Sequence, residues 1–135
     1  MAWLRRASNS DNANAALQRA KARLGALELY PREVEIDRVR LVHAPRFFVL
    51  PFLRRFQGYA THRRIIVRQP LELCSEELLT HELCHVWQMQ HQPIRMPLSY
   101  VLHGYRNNPF EKEARWAART TCNTSGPPSE AASDH

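Results

Sequence analysis

One short segment constrains this chain more than any other: the motif HELCH at residues 81–85, inside an apolar stretch bounded by Ser75 and Pro93. Serine is a favoured helix N-cap, acidic residues such as Glu76 and Glu77 favour the first turn, and proline ends helices. The segment therefore predicts a helix from about residue 76 to residue 90. Apolar residues recur on more than one of its sides, which predicts that this helix is buried.

The two histidines of the motif, His81 and His85, lie one helical turn apart and so share one face. Glu82 lies about 100° further round the helix, where its carboxylate reaches a metal-activated water without being a ligand itself. A buried helix needs partners for such polar groups. The pattern predicts a divalent metal site, with zinc expected, His81 and His85 as ligands and Glu82 as general base.

A catalytic zinc site has three protein ligands and one open position, so the chain must supply a third ligand. His91 follows His85 by six residues, but no glycine turns the chain between them. On a continuing helix His91 points away from His85, and we exclude it as a ligand. Three candidates stay open on spacing alone: His103, Glu111 and Glu113.

Glu111 is the preferred third ligand because it lies in the first turn of the predicted last helix. A carboxylate there can close the site if this helix packs against the motif helix. Asn108, Pro109 and Glu111 also match a capping box, which would explain Glu111 without any metal. Glu113 lies about 200° round the helix from Glu111, so the two carboxylates do not serve equally.

The remaining pattern predicts an α+β chain with an N-terminal helix, a short antiparallel or mixed sheet, the motif helix and a C-terminal glutamate helix. We predict one domain over residues 1–123 and a disordered tail over 124–135, which is small, polar and contains proline. Residues 46–56 remain unassigned. The predicted elements are helix 12–29, strands 34–42 and 59–68, helix 76–90, helix 98–103 and helix 109–121.

Composition limits the setting of this protein. The 135 residues carry a net charge of +6, with seventeen Arg against two Lys, and this permits nucleic-acid binding. Such binding is not favoured, because the arginines are scattered. No apolar run reaches the ~18 residues of a membrane-spanning helix, and the N-terminus lacks a signal-peptide core. Three cysteines without a CxxC spacing indicate no disulfide framework, so we expect the cytoplasm, with signal-independent export left open.

The segments HELCHVWQ and NPFEKEA together resemble the gluzincin branch of HExxH zinc peptidases. They are especially similar to small bacterial HExxHxxQ domains associated with contractile injection systems and toxins. The resemblance covers roughly residues 58–121 and implies a zincin-like fold and a peptidase that cleaves peptide or protein substrates. It implies His81, His85 and Glu111 as zinc ligands and Glu82 as base. In many gluzincins the residue after the Glu-x-x-Ala pair is acidic, whereas here it is Arg115.

Several further residues have two interpretations. Tyr105 is a candidate to stabilise a tetrahedral oxyanion, or it is a core aromatic residue. Gln88 matches the resembled group, or it faces solvent. Trp87, Trp116 and Cys84 are predicted to be buried, and the strand 59–68 is expected to pair with an extended substrate.

Two other functions compete with the peptidase. One is a non-catalytic, metal-binding interaction or leader domain, which agrees with the small size of the chain and with Arg115. The other is a protease associated with DNA, because His103-Gly104 resembles the His-Gly of SprT-like proteases.

Overall fold

The computed structural model describes residues 10–54, 56–61 and 63–123. The predicted tail 124–135 lies outside these residues. Within them the chain is α+β, with four α-helices, one three-stranded mixed sheet and three short 3-10 helices. In chain order the helices and strands are α1 (Asp11–Gly25), β1 (Arg40–His43), β2 (Gly58–Ala60), β3 (Arg64–Val67), α2 (Glu76–His91), α3 (Arg95–His103) and α4 (Pro109–Asn123).

The sheet has the order β1-β3-β2, with β1 parallel and β2 antiparallel to β3. The predicted strand 34–42 is wrong over most of its length, because only Arg40–His43 is a strand. Arg40 pairs with Arg64, where β3 begins, so residues 34–39 have no strand beside them. Val34, Ile36 and Val39 nevertheless enter the core from this irregular segment.

The predicted single strand 59–68 is also wrong, because it forms two antiparallel strands, β2 and β3. Thr61 turns the chain between them. Its backbone N–H donates to the Arg64 carbonyl oxygen, and its hydroxyl accepts from the N–H of Arg64. A threonine that satisfies backbone groups locally in this way favours a turn over a continuing strand.

Helices α1, α2 and α4 surround the hydrophobic core, with one face of the sheet against it. Ser10 and Ser75 cap α1 and α2, each accepting a hydrogen bond from a backbone N–H three residues on, which confirms Ser75 as the predicted N-cap. Small residues let the helices approach closely: Ala16 and Ala20 on α1, and Ala114, Ala117 and Ala118 on α4.

Two predictions of burial have opposite outcomes. Trp87 is 1% exposed, and its indole N–H donates to the Arg32 carbonyl oxygen. Trp116 is 50% exposed, so its predicted place in the core is wrong. It lies about 200° round α4 from the buried Ala114. Cys84 is buried, as predicted.

Helix α3 is longer than the predicted 98–103, and it ends at Gly104, whose φ of +73° is costly for residues with a Cβ. It buries only Met96 and Ser99. No helix of the described residues is both long enough and apolar enough to cross a membrane.

Candidate metal centre

The two motif histidines face the first turn of α4. The rings of His81 and His85 lie 4.8 Å apart and nearly perpendicular. The Nε2 atom of His81 lies 2.8 Å from Oε1 of Glu111, and Nε2 of His85 lies 2.9 Å from Oε2 of the same carboxylate. The structure therefore brings together the three residues that the sequence analysis preferred as ligands.

Glu111 reaches this position because Asn108 starts α4. The Asn108 side-chain oxygen accepts hydrogen bonds from the N–H groups of Phe110 and Glu111, at 2.8 and 3.1 Å, so the predicted N-cap is confirmed. The reciprocal half of the capping box is absent, because the Asn108 N–H donates to the Tyr105 carbonyl oxygen. The Glu111 side chain, 1% exposed, is thereby left to face α2.

Two phenols complete the surroundings of Glu111. The hydroxyls of Tyr100 and Tyr105 each donate to one of its oxygens at 3.0 Å. Tyr105 was singled out in the sequence, but Tyr100 was missed, because a tyrosine in a short helix carries no motif. Burial and the neighbouring Glu111 charge raise the pKa of Tyr105 to about 12 and raise that of Tyr100 as well. Both phenols are therefore hydrogen-bond donors at neutral pH.

The charge state of the cluster follows from these contacts. Burial alone would raise the pKa of Glu111, but hydrogen bonds from His81 and His85 lower it well below its ordinary range. Burial disfavours a charged His85, but its bond to Glu111 and the charge of Glu82 raise its pKa. Without a metal, the cluster is a carboxylate held by two imidazoles, of which that of His85 has increased basicity.

Gln88 supports His85 from the opposite side. Its Oε1 lies 2.8 Å from Nδ1 of His85, while its Nε2 donates to the Phe110 carbonyl oxygen and to Oε1 of Glu113. Because the Gln88 Nε2 atom donates to these two oxygens, the orientation of the amide is defined and its Oε1 atom is the acceptor that faces His85. Nδ1 of His85 must therefore be the donor. Gln88 is fully buried, and its solvent-facing interpretation is wrong. This arrangement leaves Nε2 of His85 to face Glu111.

Glu82 lies beside the cluster against strand β2. It is buried, and a Cβ atom added at Gly58 would lie 3.0 Å from its Oε2 atom. A larger residue at 58 would thus push this carboxylate or the strand by a few tenths of an ångström. Burial, aided by the charge of Glu111, raises the pKa of Glu82 against the opposing effect of the two histidines.

The rival ligands lie elsewhere. Glu113 accepts hydrogen bonds from Tyr30 and Gln88, and His103 is exposed at the end of α3. His91 stacks on Tyr30 with ring centres 4.8 Å apart, away from the cluster. None of these three belongs to the group that the described residues offer to a metal.

Two imidazole nitrogens and a carboxylate are a donor set that zinc prefers. The three ligand atoms lie within 4.8 Å of one another. The imidazole–carboxylate contacts of 2.8 and 2.9 Å are shorter than the separation of about 3.3 Å between ligands on a tetrahedral ion with bonds of about 2.0 Å. A withdrawal of Glu111 by a few tenths of an ångström would open them enough, so the residues fit such an ion.

Arg115 occupies the position that is acidic in many gluzincins. Its Nε lies 3.9 Å from Oε1 of Glu111, and its guanidinium lies 5.9 Å from the centre of the Tyr105 ring. It therefore faces Glu111, the expected third ligand, and as a cation it accepts no bond from a histidine. Comparison of the chain with protein-family models, with curated proteins and with solved structures gave no match.

Proposed function

We propose that this protein is a zinc-dependent peptidase of the gluzincin type. The observation that carries the proposal is the convergence of His81, His85 and Glu111 on one point, with Glu82 buried on the same helix beside them. Outside such a site, a carboxylate and a histidine as deeply buried as Glu111 and His85 would be costly. The resemblance of the motifs HELCHVWQ and NPFEKEA supports the same assignment.

The residues divide the chemistry between them. Zinc, when bound, supplies a Lewis acid that activates water and polarises a scissile carbonyl. Glu82 accepts the proton of the attacking water and returns it to the leaving amine, a role that its raised pKa favours. We assign Tyr105 as a donor to the developing oxyanion, because its hydroxyl lies 3.0 Å from Glu111. Tyr100 is a second candidate on the same grounds.

Strand β2 offers the backbone for an extended substrate. The Thr61 N–H bonds to the Arg64 carbonyl and the Arg68 N–H to the Gln57 carbonyl. Alternation in antiparallel strands then turns the N–H and C=O groups of Gly58 and Ala60 away from β3. Gly58 touches Glu82, so a peptide paired along this edge would pass beside the proposed base.

The test is the substitution Glu82→Gln, measured by zinc content and by cleavage of an unstructured protein such as casein. We expect one zinc per chain and a loss of hydrolysis of about 10²–10⁴-fold, since general-base catalysis is removed. Glu77→Gln, in the exposed first turn of the same helix, is the control and should stay active. Full activity of Glu82→Gln would refute the assignment of the base.

One observation favours a different function. Arg115 faces Glu111 and competes with a metal for its charge, which agrees with a non-catalytic metal-binding domain. That alternative predicts a protein that binds zinc through the three residues and cleaves neither casein nor a peptide library. A DNA-associated protease instead predicts that added DNA stimulates cleavage in a salt-dependent manner.

A further inference from the structure

The arginines are scattered and form no long block, but in one segment their charge is not balanced by acidic residues. Residues 38–71 contain eight arginines and neither Asp nor Glu, a charge of +8. Because the whole chain carries +6, the remaining residues together carry −2. The segment, which we call the arginine layer, contains all three strands of the sheet.

The described arginines of this layer form no ion pair with a described acidic residue. Seven of the eight belong to the described residues, and none of these seven lies within 4 Å of a described carboxylate. The hydrogen bonds that the Arg40 and Arg68 side chains donate within the described residues all go to backbone carbonyl oxygens. By contrast, the three basic residues of α1, Arg19, Lys21 and Arg23, are all in ion pairs. The basic residues of α1 are thus neutralised by ion pairs, whereas the described arginines of the layer are not.

Strand register brings two of the unpaired cations together. Arg40 and Arg64 are direct partners across β1 and β3. Ile65 is buried, so its neighbour Arg64 points to the outer face, and Arg40 points with it. Like charges directly opposite one another destabilise a sheet. A bound anion would remove this repulsion.

We propose that the arginine layer binds acidic polypeptides and that these are the substrate class of the enzyme. The second half of this statement rests on the proposed peptidase function. The layer includes β2, whose Gly58 lies beside Glu82. The unpaired arginines and the strand next to the proposed base therefore belong to the same segment. The order β1-β3-β2 places Arg64 on the strand next to β2 and Arg40 on the strand beyond it. A peptide that pairs with β2 over part of its length and crosses the outer face with the rest would bring its carboxylates to both guanidinium groups, which favour bidentate pairing.

A peptide fits this surface better than a nucleic acid does. The edge of β2 presents backbone donors and acceptors that a peptide backbone satisfies. The Tyr59 ring, 41% exposed, packs against Phe47 with centres 5.4 Å apart, so only part of it is open to the stacking that single-stranded nucleic acids use. The described residues of the layer form strands, 3-10 turns and loops, and they offer no α-helix to a DNA groove.

The test uses zinc-loaded Glu82→Gln protein and two fluorescent twelve-residue peptides, one rich in Glu and the other with every Glu replaced by Gln. Fluorescence anisotropy should show the acidic peptide binding about tenfold tighter or more, with the difference shrinking as salt rises. Equal affinity for the two peptides would overturn the proposal. So would tighter binding of a single-stranded DNA of equal charge, which would identify a nucleic-acid surface instead.

Paired variants locate the binding surface. Arg40→Gln with Arg64→Gln should weaken binding of the acidic peptide about tenfold, while the unfolding temperature stays equal or rises because the repulsion is removed. The control, Arg32→Gln with Arg119→Gln, makes the same change in net charge at exposed positions outside the layer. Equal weakening by both pairs would show a response to net charge alone and overturn the assignment.

The two proposals fail separately. A wild-type protein that cleaves acidic and neutral peptides at equal rates, with equal affinities, remains a peptidase but lacks the proposed preference. A protein that cleaves no peptide but binds the acidic one through Arg40 and Arg64 refutes the peptidase and retains the binding surface.

Discussion

At the scale of single residues, Gln88 takes the place of a missing acid. A histidine that binds metal usually donates its other ring N–H to a carboxylate or carbonyl oxygen, and the resemblance implied an acidic residue where this chain has Arg115. His85 instead meets the amide oxygen of Gln88, which Glu113 and Tyr30 hold in turn. A neutral acceptor orients the imidazole while adding less negative charge beside the site.

Replacing Gln88 by leucine tests this interpretation. The substitution keeps the volume but removes the acceptor of the His85 N–H, so we expect zinc affinity to fall about 10- to 100-fold. Competition with a chromogenic chelator measures the affinity. Gln90→Leu, whose amide bonds to the Glu35 backbone, is the matched control. If both variants bind zinc as the wild type does, Gln88 does not position the ligand.

At the scale of elements, the site lies where α2 meets two partners. Helix α4 brings Glu111 to the histidines, and Asn108 joins its start to α3 by donating to the Ser99 hydroxyl at 2.8 Å. Strand β2 approaches α2 from another side and touches Glu82. The ligands thus depend on helix–helix packing, and the proposed base depends on helix–strand packing.

Gly58→Ala should separate these two dependencies. A Cβ 3.0 Å from Oε2 of Glu82 forces the carboxylate or the strand to move, and misplacement by a fraction of an ångström reduces catalysis. We expect peptide cleavage to fall at least several-fold while zinc affinity is unchanged, because the three atoms nearest to an added Cβ all belong to Glu82 and none to a candidate ligand. Gly25→Ala, where an added Cβ meets no atom within 4 Å, should leave both quantities unaltered. Loss of zinc from Gly58→Ala would contradict this division.

At the scale of the whole molecule, the candidate metal cluster adjoins the core. Glu111, His85, Gln88 and Glu82 are buried beside Leu83 and Ala114, and α2 and α4 carry both the apolar contacts and the ligands. Occupancy of the site should therefore affect the stability of the entire fold. By contrast, the unpaired cations of the arginine layer belong to the segment that contains the sheet strands.

Zinc should raise the free energy of unfolding by about 2.7 kcal/mol at a free concentration 100 times its Kd. The His85 pKa is raised from 6.5 in the folded protein, so in metal-free protein the bond to Glu111 stabilises the fold below pH 6.5. That contribution is lost as the pH rises through the raised pKa. Zinc replaces the proton, so its stabilisation should grow over the same interval. Urea unfolding with and without zinc measures it, and a zinc effect that is constant with pH, or present in His81→Ala, would contradict the assignment.

Sequence by itself determined the features that depend on neighbours along the chain. The Ser75 cap and the proline after α2 bound the motif helix, a four-residue spacing put His81 and His85 on one face, and Asn108 started α4. These are local effects of backbone hydrogen bonding and helical periodicity. The same local reasoning failed for the strands, because a strand extends only where a partner lies beside it.

Tertiary structure alone decided which distant groups meet. Glu111 could not be separated from Glu113 and His103 by spacing, because the choice depends on how α4 packs against α2. Gln88 is held through Glu113 and Tyr30, and the last two of these residues are 83 positions apart in the chain. The approach of Gly58 to Glu82 likewise requires the sheet. Local pattern specifies which side chains share a face, whereas burial of apolar surface by the whole fold specifies what that face contacts.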